Sequence, residues 1–194
     1  METGRLIIVS APSGAGKTSL TRALIGQLTE QGVQAAFSVS YTTRAPRPGE
    51  ENGRDYHFVD EATFLAMIEQ DAFLEHAEVF GRRYGTGRAA TQQALDSGLL
   101  VFLDIDWQGA RQVKAKLPEA CSIFISPPDI STLRQRLEQR GQDDPQTIES
   151  RMQQAASEMS HAHEFDHVIV NEDFATALAD LEKVVGSLRQ AGNE

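Results

Sequence analysis

Residues suited to phosphate chemistry stand together near the start of the chain, where an apolar segment breaks into a glycine-bearing loop. Gly14 and Gly16 would let the backbone turn close to a polyphosphate, so that backbone N–H groups and the positive end of a following helix face it. Lys17 adds a full positive charge, and Thr18 is placed to offer its hydroxyl to Mg²⁺. An ordinary glycine turn is the alternative, but Lys-Thr at this offset favours a phosphate-binding loop. The predicted loop comprises Ala11, Pro12, Ser13, Gly14, Ala15, Gly16, Lys17 and Thr18.

The flanking segments support this prediction because they supply a strand before the loop and a helix after it. The run Leu6-Ile7-Ile8-Val9 suits a buried strand, and apolar residues from Leu20 to Leu28 recur at helical spacing. Ala11 departs from the strict G-x-x-x-x-G-K-[ST] pattern, which begins with glycine. The loop therefore requires a negative φ at Ala11, since a left-handed conformation would strain a residue that has a Cβ.

Two acids follow a second apolar run, which extends from Leu99 to Leu103 and suits a central parallel strand buried on both faces. In phosphate-loop folds an aspartate at the carboxyl end of a neighbouring strand helps to hold hydrated Mg²⁺. Asp104 is the candidate for that role, together with the hydroxyl of Thr18. The alternative is that Asp104 and Asp106 are solvated acids that simply end a strand.

Arginines stand on two predicted helices in the second half of the chain. Arg136 and Arg140 are four residues apart, so they share one face of a helix, and Arg151 lies on the next helix. Arginine suits phosphate because its planar guanidinium makes paired hydrogen bonds. A solvated surface helix could show the same spacing, so these arginines alone do not identify a phosphate site.

Composition limits the kinds of partner. The chain has 194 residues and a formal net charge of −10, which argues against nonspecific binding to nucleic acid or to an anionic membrane. It contains no apolar run near the ~20 residues of a membrane span, and its start lacks a signal-peptide pattern. A single cysteine, Cys121, agrees with a reducing compartment, so we expect a cytoplasmic protein of one domain. The sequence does not specify an oligomeric state and leaves a homo-oligomer open.

Separated strand-helix units behind a phosphate loop predict an α/β fold of three layers, in which helices flank a parallel core sheet. Two polar blocks interrupt that core, which is the plan of the P-loop NTPase fold in nucleoside monophosphate kinases. There the core binds ATP, one insertion binds the acceptor nucleotide, and the other insertion is a lid. The predicted boundaries are a core of residues 1–37, 93–126 and 158–194, a nucleotide-binding insertion of residues 38–92 and a lid of residues 127–157.

Local patterns predict several element boundaries. Asp60 and Asp129 each precede a helical pattern and are suited to cap it, and the pair Asp144-Pro145 is predicted to start a further helix. The segment from Phe73 to Phe80 is predicted as a strand, and the glycine-rich run from Gly81 to Gly87 as a loop after it.

Longer motifs make the chain resemble the guanylate kinase family from the phosphate loop to Asn171. Tyr41 stands where serine is common in that family, and Thr86 replaces a serine found in some members, but the hydroxyl survives at both positions. The motifs that carry the resemblance are Phe37 to Glu50, Asn52 to Tyr56, Phe73-Leu74-Glu75, Tyr84-Gly85-Thr86 and Leu103 to Gly109.

The resemblance implies transfer of a phosphoryl group from ATP to GMP, with Mg²⁺ as cofactor and these two nucleotides as the partners. It implies that the GMP phosphate is held by Arg44, Arg47, Tyr56 and Tyr84. It implies that guanine is recognised by Ser40, Glu75, Thr86 and Asp106. The implied catalytic residues are Lys17 and the lid arginines Arg136, Arg140 and Arg151, and the implied ATP site is the phosphate loop with Asn171.

Guanine chemistry agrees with this assignment. The Watson-Crick edge of guanine presents N1–H and N2–H₂ donors beside the O6 acceptor, so a pocket needs carboxylates and hydroxyls. Adenine would place a lone pair against Glu75. The acceptor is a phosphate monoester with a second pKa near ~6, so no general base is required. We also expect the arginines of both insertions to have no partner until a phosphate arrives.

Two other functions compete with this interpretation. One is an interaction module that keeps the fold as a peptide-binding surface, but such modules have typically lost parts of the loop or lid. The other is a kinase that acts on a phosphorylated sugar, which would not need Glu75, Thr86 and Asp106 together.

Overall fold

The computed structural model describes residues 4–79, 81–141 and 144–190, and the chain divides into two compact units. The first unit contains Gln34–Ala120 and the start of the first strand, and the second contains Ile8–Val33 and Cys121–Glu194. None of the helices in the described ranges is long and apolar enough to cross a membrane. The strands are β1 (Arg5–Ser10), β2 (Ala35–Phe37), β3 (Tyr41–Thr42), β4 (His57–Phe58), β5 (Phe73–Val79), β6 (Arg82–Gly87), β7 (Leu100–Asp104), β8 (Cys121–Ser126) and β9 (His167–Val170). The helices are α1 (Lys17–Glu30), α2 (Glu61–Glu69), α3 (Arg88–Asp96), α4 (Trp107–Lys116), α5 (Ile130–Arg140), α6 (Pro145–Ser160) and α7 (Phe174–Gln190), with a 3₁₀ helix at Ala162–Glu164.

Parallel pairing in each unit confirms the predicted α/β class. In the first unit β2 pairs in parallel with β7, and Ala36 lies opposite Val101. In the second unit β8 pairs in parallel with β9, and Ile125 lies opposite Ile169. The two strands of each pair are parallel, so each pair is joined by a crossover connection rather than a hairpin.

The strand predicted to be buried on both faces, β7, has that character, and β8 shares it. Phe102 of β7 and Phe124 of β8 are fully buried, and burial decreases only at the last residue of each strand. Asp104 is the last residue of β7 and is half-buried, as the sequence predicted. Polar groups at the carboxyl ends of parallel strands are where α/β folds bind ligands.

The first unit also contains a smaller sheet, which corrects one prediction. Its strand order is β4-β3-β6-β5, and β5 and β6 form an antiparallel pair. The run from Gly81 to Gly87, predicted as a loop, is therefore mostly strand β6. A Cβ at Gly85 would lie 2.9 Å from the ring of Phe73. This glycine therefore leaves space for the aromatic ring to pack against β6, and it does not end the strand. Phe80 lies outside the described residues.

The predicted caps at Asp60 and Asp129 and the predicted helix start at Asp144-Pro145 are confirmed, and Asp144 is also a cap. Carboxylates of Asp60, Asp129 and Asp144 accept hydrogen bonds from backbone N–H groups three residues later, at 2.7, 2.7 and 2.9 Å. Pro145 follows the last of these caps in the first turn of α6, where its missing N–H costs nothing. These short-range signals place α2, α5 and α6 independently of tertiary context.

Candidate functional site

The phosphate loop of the second unit has the predicted backbone. Gly14 and Gly16 both have a φ of 93°, which favours glycine. Among the described residues other than glycine, only Asp71 has a positive φ, so the negative φ required at Ala11 is confirmed. The N–H of Ala15 donates to the carbonyl of Pro12 at 3.0 Å, and α1 begins directly after Gly16. The loop therefore brings successive backbone N–H groups to the N-terminus of a helix.

The underside of the loop is packed against the two helices of the predicted lid. Ala15 is fully buried in an apolar cluster with residues of α5 and α6. A Cβ at Gly14 would lie 3.0 Å from a methyl group of Leu137, so packing as well as φ favours glycine there. The helix residues of this cluster are Leu133, Leu137, Ile148, Met152 and Ala155.

Asn171, at the end of β9, contacts the loop directly. Its Nδ2 donates to the carbonyl of Ala15 at 2.7 Å, and a Cβ at Gly16 would collide with the same nitrogen. Its backbone carbonyl accepts from Nη2 of Arg136 at 2.8 Å. The side chain is buried, and its Oδ1 has no hydrogen-bond partner within the described protein atoms. The sequence predicted Asn171 for the ATP site, but nothing in the sequence showed that it also supports the loop.

Two of the lid arginines have partners among the described residues, and one of these partners belongs to the loop. Nη1 of Arg151 donates to the hydroxyl of Ser13 at 2.9 Å, and Arg136 is held by Asn171. The expectation that these arginines have no partner before a phosphate binds is therefore wrong for both. Arg140 is the last residue of α5, and its side chain lies outside the described part of the chain.

The first unit contains a second constellation, which centres on a buried carboxylate. Glu75 of β5 lies opposite Thr86 of β6, and the hydroxyl of Thr86 donates to Oε1 of Glu75 at 2.5 Å. Both residues are buried. Burial raises the pKa of Glu75 to about 7, although the hydrogen bond from Thr86 opposes the rise, and the charge of Asp106 adds to it.

Asp106 lies at the N-cap of α4 beside this pair. Its Oδ1 accepts from the N–H of Gly109 at 2.9 Å, and its Oδ2 accepts from the side chain of Gln108 at 3.0 Å. A Cβ at Gly109 would lie 2.5 Å from Oε2 of Glu75, so glycine is required for the carboxylate to fit. Gly109 belongs to the motif from Leu103 to Gly109, but the sequence did not predict a role for it.

Arg44 occupies a third part of the first unit. Its guanidinium donates to Oε1 of Glu50 and to the carbonyl of Ala45, both at 2.8 Å, and lies 5.3 Å from the ring centre of Tyr56. The expectation that it has no partner is wrong. Glu50 also accepts from the N–H of Arg47 at 2.7 Å, so one carboxylate joins the two predicted phosphate arginines. Sequence reasoning missed this role, and the six-residue spacing from Arg44 is the only signal of it.

The tyrosines predicted for the GMP phosphate stand beside Arg44. The rings of Tyr56 and Tyr84 lie 6.0 Å apart in an edge-on arrangement. Burial and, to a smaller degree, the charge of Asp104 raise the pKa of Tyr56 to about 12. The hydroxyl of Tyr56 therefore remains protonated near neutral pH and is available as a donor. Ser40 immediately precedes β3, where its carbonyl accepts from the N–H of His57 at 2.9 Å.

Comparison with known proteins identifies the family to which the chain is similar. A sequence model of the family described as "Guanylate kinase" matches residues 3–188. The chain is 58% identical over 189 residues to a guanylate kinase of Shewanella sp. (strain MR-7), covering 97% of this chain and 90% of that one. It is 59% identical over 186 residues to a guanylate kinase of Pseudomonas syringae pv. syringae, covering 94% and 87%. The crystal structure of guanylate kinase from Anaplasma phagocytophilum is similar with a TM-score of 0.78 and 34% identity, covering 100% of this chain and 88% of that one.

Proposed function

The chain belongs to the guanylate kinase family, and from that premise we propose that it transfers the γ-phosphoryl group of ATP to GMP, giving ADP and GDP. It is an ATP-dependent nucleoside monophosphate kinase. The observation that carries the choice of acceptor is the buried Glu75 beside Asp106, because a pocket with two carboxylates selects a base that presents donors. We extend the proposal to dGMP as a second acceptor and to a cytoplasmic role in GMP recycling and purine nucleotide synthesis.

Guanine recognition is assigned to Glu75, Thr86, Asp106 and Ser40. Glu75 accepts from N1–H and N2–H₂ in its ionised form, and the bond from Thr86 fixes the orientation of its carboxylate. Hydroxyls such as that of Ser40 suit the O6 acceptor on the other side of the base. Adenine has no N1–H, so it would set a lone pair against the carboxylate.

The phosphate of GMP is assigned to Arg44, Arg47, Tyr56 and Tyr84. Glu50 holds the guanidinium of Arg44 in place, so little side-chain entropy is lost when a phosphate binds. The protonated hydroxyl of Tyr56 donates to the same phosphate.

ATP is assigned to the phosphate loop, residues 11–18, and to Asn171, with Lys17, Arg136, Arg140 and Arg151 as the catalytic cations. The acceptor phosphate is largely dianionic at neutral pH, so it attacks without a general base. The reaction needs the two phosphates in line, and the cations stabilise the charge that spreads over the transferring group. Exclusion of water from the closed site prevents hydrolysis of ATP.

A divalent metal belongs to this chemistry, and we propose Mg²⁺ held through Thr18 and Asp104. A hydroxyl and a carboxylate are hard oxygen donors, which Mg²⁺ prefers. In the described ranges no group of three or more His, Cys, Asp or Glu could hold a metal by itself. Mg²⁺ supplies charge neutralisation on the ATP phosphates when it is bound.

We also propose that the chain is divided into a core, a GMP-binding region and a lid. The core comprises residues 1–37, 93–126 and 158–194, the GMP-binding region residues 38–92, and the lid residues 127–157. The GMP-binding region holds the sheet β4-β3-β6-β5, and the lid holds α5 and most of α6.

The proposed function predicts phosphorylation of GMP and almost none of AMP or UMP. In a coupled assay of ADP formation with Mg-ATP, the ratio of kcat/KM for GMP to that for AMP should exceed about a thousandfold. This magnitude follows because a site built for base donors leaves buried acceptors unpaired with the wrong base. Comparable turnover of AMP would overturn the guanine assignment, and no turnover of any nucleotide would favour an interaction module.

The raised pKa of Glu75 predicts pH-dependent recognition of guanine. Only the ionised carboxylate accepts from both donors, so affinity should rise as the pH increases through about 7 and then level off. Stability changes in the opposite direction: a carboxyl with a raised folded-state pKa destabilises the free protein as the pH rises through that value.

Guanosine is the probe for this prediction because it lacks the phosphate, whose own second pKa near ~6 would otherwise contribute. An NMR titration between about pH 5.5 and about pH 8 should show the guanosine Kd increasing about tenfold per unit below the pKa of Glu75. Glu75→Gln is the control and should give a flat profile. A flat profile for the unmodified protein would contradict the prediction.

A further inference from the structure

Strand β5, which carries Glu75, lies at the edge of the sheet β4-β3-β6-β5. One side of β5 pairs with β6, and in the sheet that the described residues form its other side has no neighbouring strand. The backbone N–H and C=O groups on such an edge need other partners. Side chains of α4 provide such partners at Leu74 and His76.

At one residue of β5, the side-chain amide of Gln112 on α4 makes the backbone hydrogen bonds that a neighbouring strand would otherwise make. Its Oε1 accepts from the N–H of His76 at 3.1 Å, and its Nε2 donates to the carbonyl of His76 at 2.7 Å. Lys116 donates from Nζ to the carbonyl of Leu74 at 2.5 Å. These contacts hold the backbone on both sides of Glu75.

The same face of α4 also meets the side chain of Glu75. Gly109, Gln112 and Lys116 are separated by three and four residues, so they share one face of the helix. Gly109 leaves the space that Oε2 of Glu75 fills. Asp106 caps the N-terminus of this helix. One rigid helix therefore carries one of the two acidic groups and holds the strand that carries the other.

We propose that Gln112 is a positioning residue for guanine recognition, which fixes Glu75 relative to Asp106 by binding the backbone of β5 to α4. Lys116 contributes a second contact, at the carbonyl of Leu74. The inference rests on the proposed function, because it concerns where GMP is recognised. Gln112 acts through the strand and not by contact with the substrate.

The position of Glu75 matters because hydrogen bonds weaken steeply with distance and angle. Without the amide of Gln112, the half-buried N–H and C=O of His76 lose both partners, and β5 can move away from α4. Glu75 binds the base and does not touch the transferring phosphoryl group. Loss of its position should therefore weaken binding of GMP more than it slows the chemical step.

The test replaces Gln112 by methionine, which keeps the length of the side chain and removes both hydrogen bonds. GMP is compared with IMP, which has N1–H and O6 but lacks the 2-amino group, so that a displaced Glu75 affects GMP more. For Gln112→Met we expect the KM for GMP to rise about tenfold, with kcat within about twofold, and the preference for GMP over IMP to fall several-fold. The matched control is Gln93→Met, since Gln93 is exposed on α3 and lies outside the proposed GMP-binding region. It should change none of these values.

Each outcome is decisive. An unchanged KM, or an equal loss for GMP and IMP in a folded variant, would overturn the positioning role while leaving the proposed function intact. An unmodified protein that fails to phosphorylate GMP would overturn the proposed function, and this inference with it. If circular dichroism shows Gln112→Met to be unfolded, Lys116→Met is the second test. A rise of about threefold in the KM for GMP, together with a smaller preference for GMP over IMP, supports the positioning role. An unchanged KM and an unchanged preference overturn it.

Discussion

Replacing Lys17 with alanine should lower kcat for GMP phosphorylation by at least about a hundred- to thousandfold while the protein remains folded. The phosphate loop presents Lys17 at the start of α1, directly after the left-handed Gly16. A fixed cation there stabilises negative charge on the transferring phosphoryl group, and its loss is not compensated by water. The effect should appear mainly in kcat because this charge is greatest in the transition state.

The fold should tolerate this change. The buried face of α1 consists of Leu20, Thr21, Leu24 and Leu28, and does not include Lys17. Alanine is also a good residue for a helix. Steady-state kinetics and a thermal melt of Lys17→Ala should be compared with those of Lys183→Ala, a matched change at an exposed position of α7. Unchanged kcat, or a large loss of thermal stability in the first variant alone, would contradict the assigned role.

The parts of the structure that were predictable are those encoded by neighbouring residues. The phosphate loop depends on glycine φ angles and a lysine at a fixed offset, and each cap depends on an aspartate and an N–H three residues away. The buried strands were predictable for a similar reason, because a parallel strand covered on both faces needs a continuous apolar run. Sequence alone therefore located β7 and its terminal Asp104.

The parts that were not predictable depend on residues distant in the chain. Strand β6 was predicted as a loop because its glycines suggest a turn, while its pairing with β5 and the ring of Phe73 over Gly85 are tertiary. The partners of Arg136 and Arg151 lie 35 and 138 residues away along the chain. No periodicity or motif encodes these two contacts, so the expectation of unpartnered arginines failed for Arg136 and Arg151 because tertiary structure supplies their partners.

The family resemblance named the site residues but not what supports them. It assigned Glu75 and Asp106 to guanine without indicating that Gly109 makes room for the carboxylate. It assigned Arg44 to phosphate without indicating that Glu50 holds it. Coordinates are needed for both contacts, because the first depends on the distance between α4 and β5 and the second on the fold of the loop between β3 and β4.

Replacing Glu75 with glutamine should reduce kcat/KM for GMP by about tenfold to a hundredfold. The substitution keeps the shape of the side chain but turns one acceptor into an NH₂ donor that faces the donors of guanine. Charge-assisted hydrogen bonds contribute roughly 1.5–3 kcal/mol each, and about 1.4 kcal/mol corresponds to one factor of ten. The loss should be smaller for IMP than for GMP, because IMP lacks the 2-amino donor.

The thermal stability of Glu75→Gln distinguishes a role of Glu75 in guanine recognition from a purely structural role. A buried carboxylate costs desolvation energy above its pKa of about 7, so the neutral amide should leave the melting temperature at about pH 8 unchanged or raise it. Oε1 of the glutamine still accepts from Thr86, which preserves the pairing of β5 with β6. Glu78→Gln is the matched control on β5, because Glu78 is exposed and should affect neither kinetics nor stability. An unchanged kcat/KM in Glu75→Gln would remove Glu75 from the site, and a loss of activity together with a lower melting temperature would make it a structural residue.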